Sequence, residues 1–207
     1  MKEIVFATSN KAKVDQINFI VQYFKFPIKI IVGKEIYGEK NNYKEIGNTV
    51  SEIAKNGAID ISKKINLPVI TEDTDFRVNS LNEEPGTRAG YFLKKYGRVE
   101  ILRKLNNIDN RSASINSAVA FSAPDGKNKI FLNTIKGKIS KEEKFDKFPS
   151  WISPYTHHFG GGYNAIFIPN GWNKTLAEIS PEESIPWSYR EKNFIDVIKY
   201  ILEECSM

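Results

Sequence analysis

Three carboxylates stand close together in the segment VITEDTDF, where Glu72, Asp73 and Asp75 follow an apolar run. Like charges held this close repel one another unless a cation neutralises them. Their hard oxygen atoms suit Mg²⁺, whose coordination shell is usually completed by water and substrate phosphates. Glu45, in the loop before a predicted helix, could supply a further ligand. The alternative is an acidic loop rim that faces water.

A second candidate site lies at the first predicted helix, where FATSNKAKVDQI places Thr8, Ser9 and Asn10 ahead of Lys11 and Lys13. A helix N-terminus already carries partial positive charge, so lysines there are unfavourable on their own. Free backbone N–H groups at such a turn, together with lysines, would bind an anion such as phosphate. The segment contains neither the Walker sequence nor the dinucleotide-binding glycine pattern. The alternative is a solvated helix start with Ser9 or Asn10 as an ordinary cap.

The segment FGGGYNAIFIPNGWNKTLAE places three consecutive glycines, Gly160–Gly162, beside aromatic residues. Glycine allows a ligand or another stretch of backbone to approach closely. Phe159, Tyr163 and Trp172 could therefore stack on a planar base. The alternative is a glycine bulge with the aromatic side chains in the core.

Polar residues also stand just before the last predicted helix, where PWSYRE contains Ser188 and Arg190. An arginine there could hold a phosphate or a base carbonyl, whereas the alternative is an ordinary N-cap serine with a solvated arginine. The pair His157-His158 raises the question of zinc. The chain has no other histidine and only one remote cysteine, Cys205, so a structural or incidental loop role is favoured.

Hydrophobic periodicity predicts the elements that must position these residues. Strands are predicted at KEIVFAT, IKIIVG and LPVITED, with helices between them, and this order predicts an α/β core. The lysine-bearing turn and the acidic segment would then lie at the carboxyl ends of neighbouring core strands and form one metal–phosphate cleft. Beyond them we predict a hairpin around Asp125-Gly126, a strand at YNAIFIP and a closing amphipathic helix. The two arms of the hairpin are Ser112 to about Phe121 and about Lys129 to Ile139.

The first two helices have well-defined apolar faces. In the second helix, within TVSEIAKNGAIDISKKI, Thr49 and Glu52 have the spacing of a capping box. The first helix is expected to bury Val14, Ile17, Ile20, Val21 and Phe24. The second is expected to bury Val50, Ile53, Ala54, Gly57, Ala58 and Ile61.

Composition narrows the class of protein. The chain has 207 residues, of which 41% are hydrophobic and 27% charged, as in ordinary soluble domains. No apolar run is long enough for a predicted membrane helix, and Glu3 argues against a signal peptide. The net charge of +5 is compatible with anionic ligands, but no Lys/Arg tract suggests nucleic-acid binding. A single cysteine excludes an intrachain disulfide and fits a reducing cytoplasm.

Taken in order, these motifs resemble the Ham1-like inosine triphosphate pyrophosphatases. That family hydrolyses non-standard purine nucleoside triphosphates, such as ITP, XTP and their deoxy forms, to the monophosphate and pyrophosphate. TSNKAK fits the family's T/S-x-N-x-x-K, and KEIGNT is similar to the segment with a metal-binding glutamate. ITEDTDF resembles the family's E-D-[ST] segment, and SYR takes the place of its S-H-R. FGGGYNAIFIPNGWNKTLAE resembles its glycine-aromatic segment, and the likeness covers nearly the whole chain.

The resemblance implies an α/β, ITPase-like fold, with an elongated central mixed sheet, flanking helices and two lobes around a nucleotide cleft. It implies one domain over residues 1–207, in which the second lobe spans roughly residues 76–145. It also implies a homodimer with a nucleoside triphosphate as substrate.

A mechanism and a set of site residues come with the resemblance. Mg²⁺, for which Mn²⁺ could substitute, would be held by Glu45 and Asp73, and Asp73 would activate a water that attacks the α-phosphorus. The implied catalytic residues are Asp73, Lys13 and Glu72. The implied phosphate ligands are Thr8, Ser9, Asn10, Lys13, Thr74 and Arg190. The implied base-binding residues are Phe159, Gly162, Tyr163, Asn164, Ser188 and Tyr189.

Departures from the family pattern cluster at the base-recognition end. Asn164 and Ala165 replace an aspartate and a proline, Tyr189 replaces a histidine, Ser184 stands where a lysine is usual, and Arg88 is shifted. Because a buried group that reads a base discriminates strongly, these changes predict a working pyrophosphatase with altered base preference. The rival hypotheses are a pyrophosphatase for a specialised nucleotide, a non-catalytic nucleotide-binding protein and, ranked last, a basic nucleic-acid binder.

Overall fold

A computed structural model of the chain describes residues 2–38, 45–145 and 162–204. Phe159, His157, His158 and Cys205 lie outside the described residues, and so do Gly160 and Gly161. The chain divides into two compact units. The first unit consists of Met1–Asp73, Ser117–Asn133 and Arg190–Met207, and the second of Thr74–Asn116 and Thr134–Tyr189.

The strands of the described residues form one mixed sheet. They are β1 (Lys2–Phe6), β2 (Ile28–Val32), β3 (Val69–Val78), β4 (Glu84–Gly86), β5 (Ser112–Ser122), β6 (Asn128–Ile139) and β7 (Phe167–Pro169). The sheet order is β2-β1-β3-β5-β6-β7, with β4 also paired to β3. β1 is parallel to β2 and β3, whereas β4 and β7 run antiparallel to their partners β3 and β6.

Helices flank this sheet, so the prediction of an α/β fold with a central mixed sheet is confirmed. They are α1 (Lys11–Tyr23), α2 (Gly33–Tyr37), α3 (Val50–Ile65), α4 (Ala89–Tyr96), α5 (Val99–Lys104), α6 (Pro181–Ser184) and α7 (Tyr189–Glu204). Helices α2, α4, α5 and α6 were not predicted, because elements of four to eight residues carry too little periodicity. Among the residues that the structure describes, no helix is long and apolar enough to cross a membrane.

Helix α3 forms as its sequence predicts. Thr49 is the N-cap, and its hydroxyl accepts a hydrogen bond from the N–H of Glu52 at 3.2 Å. The capping box is only half as predicted, because the Glu52 carboxylate accepts from the N–H of Asn48 at 2.8 Å instead of from that of the cap. All six residues of the expected apolar stripe are buried, and Val50, Ala54 and Ala58 pack against alanines of β5.

Helix α1 follows its predicted face less closely. Ile17 and Ile20 are buried, but Phe24 is the C-cap residue and remains 41% exposed. The expectation that Phe24 belongs to the buried face was wrong, because the helix ends one residue before it. The third buried residue of α1 is polar, Gln16, and it accepts a hydrogen bond from Arg190.

Strand β3 is longer than predicted. The strand predicted at LPVITED ends at Asp73, and the acidic segment was expected at its carboxyl end. This was wrong, since Glu72, Asp73 and Asp75 all lie inside β3, which continues to Val78. The strand continues because β4 pairs with its far end, where Val78 lies opposite Glu84. Backbone pairing therefore extends an element whose side chains alone would indicate a turn.

Strand β7 is shorter than the predicted YNAIFIP strand. The backbone N–H groups of Ile166 and Phe167 both donate to the carbonyl of Tyr163, at 3.0 and 3.1 Å. These bonds close a turn, so only Phe167–Pro169 pairs with β6.

Candidate functional site

The first unit brings the lysine-bearing turn beside the acidic segment. Strand β1 pairs with β3 so that Phe6 lies opposite Ile70, and the N–H of Ala7 donates to the carbonyl of Ile70 at 2.9 Å. Because the two strands are parallel, the turn that follows β1 and the residues that follow Ile70 meet at the same sheet edge. The predicted neighbourhood of the two motifs is therefore present.

The turn is a well-formed helix N-terminus. Thr8 Oγ1 accepts from the N–H of Asn10 at 3.1 Å, and Asn10 Oδ1 accepts from the N–H of Ala12 at 3.0 Å. Asn10 is thus the N-cap of α1, as one of the two sequence interpretations held. Ser9 and Lys11 are exposed.

Lys13 does not extend into solvent. Its Nζ atom lies 2.8 Å from Glu72 Oε2 and donates to the main-chain oxygen of Glu72 at 2.8 Å. Glu72 is 1% exposed, so the acidic-rim interpretation is wrong for this residue. A buried carboxylate is costly unless it is paired, and Lys13 supplies the pairing charge. The lysine that looked unfavourable at a helix N-terminus is held by an acidic residue of the neighbouring strand.

Arg190 supplies a second cation to the same carboxylate. Its Nε atom lies 3.1 Å from Glu72 Oε1, and its Nη1 donates to Gln16 Oε1 at 2.6 Å. The side chain of Arg190 is 12% exposed, which rules out the solvated-arginine interpretation. The burial of Gln16 on α1 now has a reason, because its amide oxygen receives this guanidinium. Two cations face one carboxylate, and the net charge of these three groups is positive, which favours an anion.

Adjacent residues of β3 point to opposite sides of the sheet. Thr71 Oγ1 donates to the carbonyl of Ala54 in α3 at 2.6 Å, whereas Glu72 contacts α1 and α7. Strand alternation therefore directs Asp73 to the α3 side. Glu45, which precedes α3 in the chain, is exposed, and Asp73 is half-buried. Among the residues that the structure describes, no group of three or more His, Cys, Asp or Glu side chains comes together.

Asp75 belongs to the second unit and has its own partners there. Its Oδ2 accepts from Arg77 Nε at 2.8 Å, and its Oδ1 accepts from Asn116 Nδ2 at 2.5 Å. The charge of this buried residue is thus compensated locally. The three carboxylates of the acidic segment do not act as one cluster. Thr74, the first residue of the second unit, is half-buried.

Most of the residues expected to bind a base are buried in the second unit. Asn164 is 2% exposed and Tyr189 6%, and the Tyr189 hydroxyl donates to Asn164 Oδ1 at 3.3 Å. Ser188 is buried directly before α7, and its N–H donates to the carbonyl of Ser184 at 2.8 Å. The carbonyl of Gly162 accepts from Arg98 Nη1 at 3.0 Å.

Tyr163 packs as a core residue of the second unit. Its ring stacks on Phe76, with centroids 4.1 Å apart and ring planes 9° apart, and its hydroxyl donates to the carbonyl of Ala89 at 2.9 Å. Burial raises the pKa of the Tyr163 phenol, because the charged phenolate would lose its hydration. This geometry supports the interpretation in which the aromatic side chain belongs to the core.

Trp172, another candidate for base stacking, lines an open cavity of about 480 Å³ in the second unit. Its ring lies 5.5 Å from that of Trp187, whose Nε1 donates to the carbonyl of Glu183 at 2.7 Å. The other lining residues are Thr134, Ile135, Lys136, Pro169 and Asn170. These side chains give the cavity an aromatic wall and one cation.

The sequence likeness decides the family. A model of the Ham1 family matches residues 4–200. The chain belongs to the Ham1 family. Two curated relatives named dITP/XTP pyrophosphatase are each 30% identical to it. The protein of Thermococcus kodakarensis matches over 97% of both chains, and that of Methanopyrus kandleri over 92% of this chain and 91% of its own length.

Solved structures of Ham1 proteins share the fold. The Staphylococcus aureus Ham1 protein superposes with a TM-score of 0.76 at 26% identity, over 98% of both chains. A Ham1 protein from Coxiella burnetii gives a TM-score of 0.78 at 23% identity, over 98% of this chain and all of its own.

Sequence reasoning about this Ham1 family member missed three polar residues around Glu72. Gln16 receives Arg190, Ser117 Oγ donates to Glu72 Oε1 at 3.0 Å, and Asn193 donates to Ser117. Each is buried in the first unit. A polar residue on an otherwise apolar helix face was the one available signal, and it applies to Gln16 and Asn193. Ser117 in its β-strand carried none.

Proposed function

We propose that the protein hydrolyses non-standard purine nucleoside triphosphates, such as dITP, ITP and XTP, to the monophosphate and pyrophosphate. The observation that carries this proposal is the pairing of Lys13 and Arg190 with one buried carboxylate at the sheet edge. Two relatives at 30% identity are named dITP/XTP pyrophosphatases. In this activity the positive charge of Lys13 and Arg190 would bind the triphosphate, in addition to stabilising the buried Glu72.

In the proposed reaction, Lys13 and Arg190 neutralise charge on the triphosphate, and Glu72 fixes the two cations. Thr8, Ser9, Asn10 and Thr74 are the proposed further phosphate ligands. Asp73 takes a proton from water, and the water oxygen bonds to the α-phosphorus. The bond from the α-phosphorus to its bridging oxygen breaks, and pyrophosphate leaves with the electron pair. Positioned charge of this kind is usually the largest contribution to such catalysis.

The donor set is suited to a divalent cation. Glu72 pairs with two cationic side chains, and the resemblance assigns the metal to two other carboxylates, Asp73 and Glu45. Both offer the hard oxygen atoms that Mg²⁺ prefers, and Mn²⁺ accepts the same ligands. We propose that these two residues hold Mg²⁺. When bound, the metal supplies positive charge that neutralises the triphosphate.

Base recognition is a separate part of the proposal. The resemblance assigns it to Phe159, Gly162, Tyr163, Asn164, Ser188 and Tyr189. A specific observation favours the second candidate function, a pyrophosphatase with altered base preference. A buried hydrogen bond connects Tyr189 to Asn164. These are the two positions at which the family pattern has a histidine and an aspartate. A neutral pair there presents different hydrogen-bonding groups from an acid–histidine pair.

The resemblance also implied a homodimer, and the single cysteine fitted a reducing cytoplasm. We propose both as further properties of the enzyme. Light scattering coupled to size-exclusion chromatography tests the first, and a mass of a single chain would reject it. Fractionation of the source cells tests the second.

A substrate panel tests the proposed function. Pyrophosphate release is measured from ITP, dITP, XTP, dUTP, GTP and ATP with Mg²⁺ or Mn²⁺. We expect the highest kcat/KM with ITP, dITP or XTP. The highest value with another triphosphate supports the altered-preference candidate. The absence of pyrophosphate release from every triphosphate would reject the enzyme and leave the nucleotide-binding protein.

A further inference from the structure

Ser117 and Asn193 form a buried hydrogen-bonded chain next to Glu72. Ser117 Oγ lies 3.0 Å from Glu72 Oε1. Asn193 Nδ2 lies 2.9 Å from the main-chain oxygen of Ser117 and 3.3 Å from its Oγ. Both residues are fully buried, and they come from different elements, β5 and α7.

The direction of each hydrogen bond in this chain is fixed by chemistry. A main-chain carbonyl can only accept, so the atom of Asn193 that faces it must be the amide nitrogen. The same nitrogen donates to Ser117 Oγ, which leaves the hydroxyl hydrogen of Ser117 for the Glu72 carboxylate. Asn193 therefore orients the hydroxyl of Ser117, and Ser117 in turn orients Glu72.

The two oxygen atoms of Glu72 have different partners as a result. Oε1 accepts from Ser117 and lies beside Arg190, while Oε2 lies beside Lys13. Rotation of the carboxylate would displace both cations. Ser117 and Asn193 are neutral, so their contribution is to the orientation of the group and leaves its net charge unchanged.

We propose that Ser117 and Asn193 are positioning residues that hold the Glu72 carboxylate in the orientation that places Lys13 and Arg190 for the reaction. This inference rests on the proposed pyrophosphatase activity. It extends the site to two residues that no sequence motif contains. A small misplacement of charged groups lowers turnover more than it lowers substrate affinity. Stabilisation of the transition-state charge depends on the position of these groups more strongly than binding of the substrate does.

Two substitutions test the hydrogen bonds that connect Asn193 to Ser117 and Ser117 to Glu72. Ser117→Ala removes the donor to Glu72 with little change in volume. Asn193→Leu keeps the approximate volume of the side chain and adds no charge, but it removes the donor that orients the Ser117 hydroxyl. We expect each to lower kcat by roughly tenfold or more, with KM within about threefold of the wild-type value.

A matched control separates positioning from stability. Ser62 is fully buried in the first unit, and its hydroxyl donates one hydrogen bond, to the carbonyl of Leu67 at 2.8 Å. Ser62→Ala therefore loses a buried serine hydrogen bond that does not involve Glu72. We expect Ser62→Ala and Ser117→Ala to lower the melting temperature similarly, and only Ser117→Ala to lower kcat. All rates are measured well below the lowest melting temperature.

A double-mutant cycle tests whether Ser117 acts through the Glu72 cations. We expect Ser117→Ala to have little further effect on kcat in a Lys13→Met background, because the group that it positions is already incomplete. Equal loss of kcat in Ser62→Ala and Ser117→Ala, or full additivity with Lys13→Met, would overturn the inference. A wild-type protein that releases no pyrophosphate would instead reject the proposed function itself.

Discussion

The Nζ atom of Lys13 lies 2.8 Å from the carboxylate and 2.8 Å from the main-chain oxygen of one residue, Glu72. This double contact ties the first helix to β3. It also keeps a cation at a sheet edge where only part of the lysine side chain reaches solvent, since 16% of it is exposed.

Lys13→Met should impair both activity and stability. Loss of one phosphate-neutralising cation is expected to lower kcat/KM by roughly a hundredfold. The buried Glu72 carboxylate also loses its lysine partner, which is expected to lower the free energy of unfolding by roughly 1–3 kcal/mol. Pyrophosphate release and urea denaturation measure the two effects. The control is Lys11→Met, two residues earlier on the same helix and exposed, and an equal loss of activity in it would contradict the assignment.

Asp73→Asn should separate turnover from nucleotide binding. The amide cannot take the proton from water, so pyrophosphate release is expected to fall by roughly a thousandfold or more. Nucleotide affinity, measured by calorimetry without a divalent metal ion, is expected to change far less, because Lys13 and Arg190 remain. Turnover at the wild-type rate would show that Asp73 is not the base.

Gly137→Ala and Gly90→Ala should have opposite effects on stability. A Cβ atom on Gly137 would lie 2.2 Å from the carbonyl oxygen of Ile168, so β7 would have to move, at a cost of roughly 1–3 kcal/mol. A Cβ atom on Gly90, in α4, meets no atom within 4 Å, and alanine is expected to add about 0.5–1 kcal/mol there. The urea midpoints of the two variants measure both changes in stability. Equal shifts would show that Gly137 of β6 is not in close contact with the Ile168 carbonyl of β7.

Tyr163→Phe should change how stability depends on pH. At about pH 7 the loss of the hydrogen bond to Ala89 is expected to cost about 1 kcal/mol. The pKa of Tyr163 is raised in the folded state. The wild type therefore loses stability once pH exceeds the unfolded-state value of about 10, by up to roughly 1.4 kcal/mol per pH unit.

The phenylalanine variant lacks this contribution, so the stability gap between the two proteins is expected to close at about pH 11. Urea denaturation at both pH values measures the gap. Tyr23→Phe, at a tyrosine that is 48% exposed, is the control and should keep the wild-type pH dependence. A gap of unchanged size in Tyr163→Phe would show that the phenol does not stay protonated in the folded state.

Elements with strong local signals were predicted well from the sequence. Helix α3 combines an N-cap threonine with a complete apolar stripe, and α7 follows its predicted periodicity. The length of β3 was missed, because its polar residues are paired by distant parts of the chain. Phe24 was misassigned because periodicity alone does not show where a helix ends.

The residues of the candidate site that lie in sequence motifs could be predicted, and those outside such motifs could not. Lys13, Glu72 and Arg190 belong to motifs that the sequence singles out, and their contacts agree with a shared role. Gln16, Ser117 and Asn193 carry no such pattern, since their importance comes only from the groups beside which folding places them.

The contacts around Glu72 span long stretches of chain. Lys13 and Glu72 are 59 residues apart, Ser117 and Asn193 are 76 apart, and Gln16 and Arg190 are 174 apart. Each of these contacts costs conformational entropy to form, because distant parts of the chain must be brought together. A chain in which the last helix has not docked would leave Glu72 without its arginine. Recovery of activity during refolding would therefore report the docking of that helix.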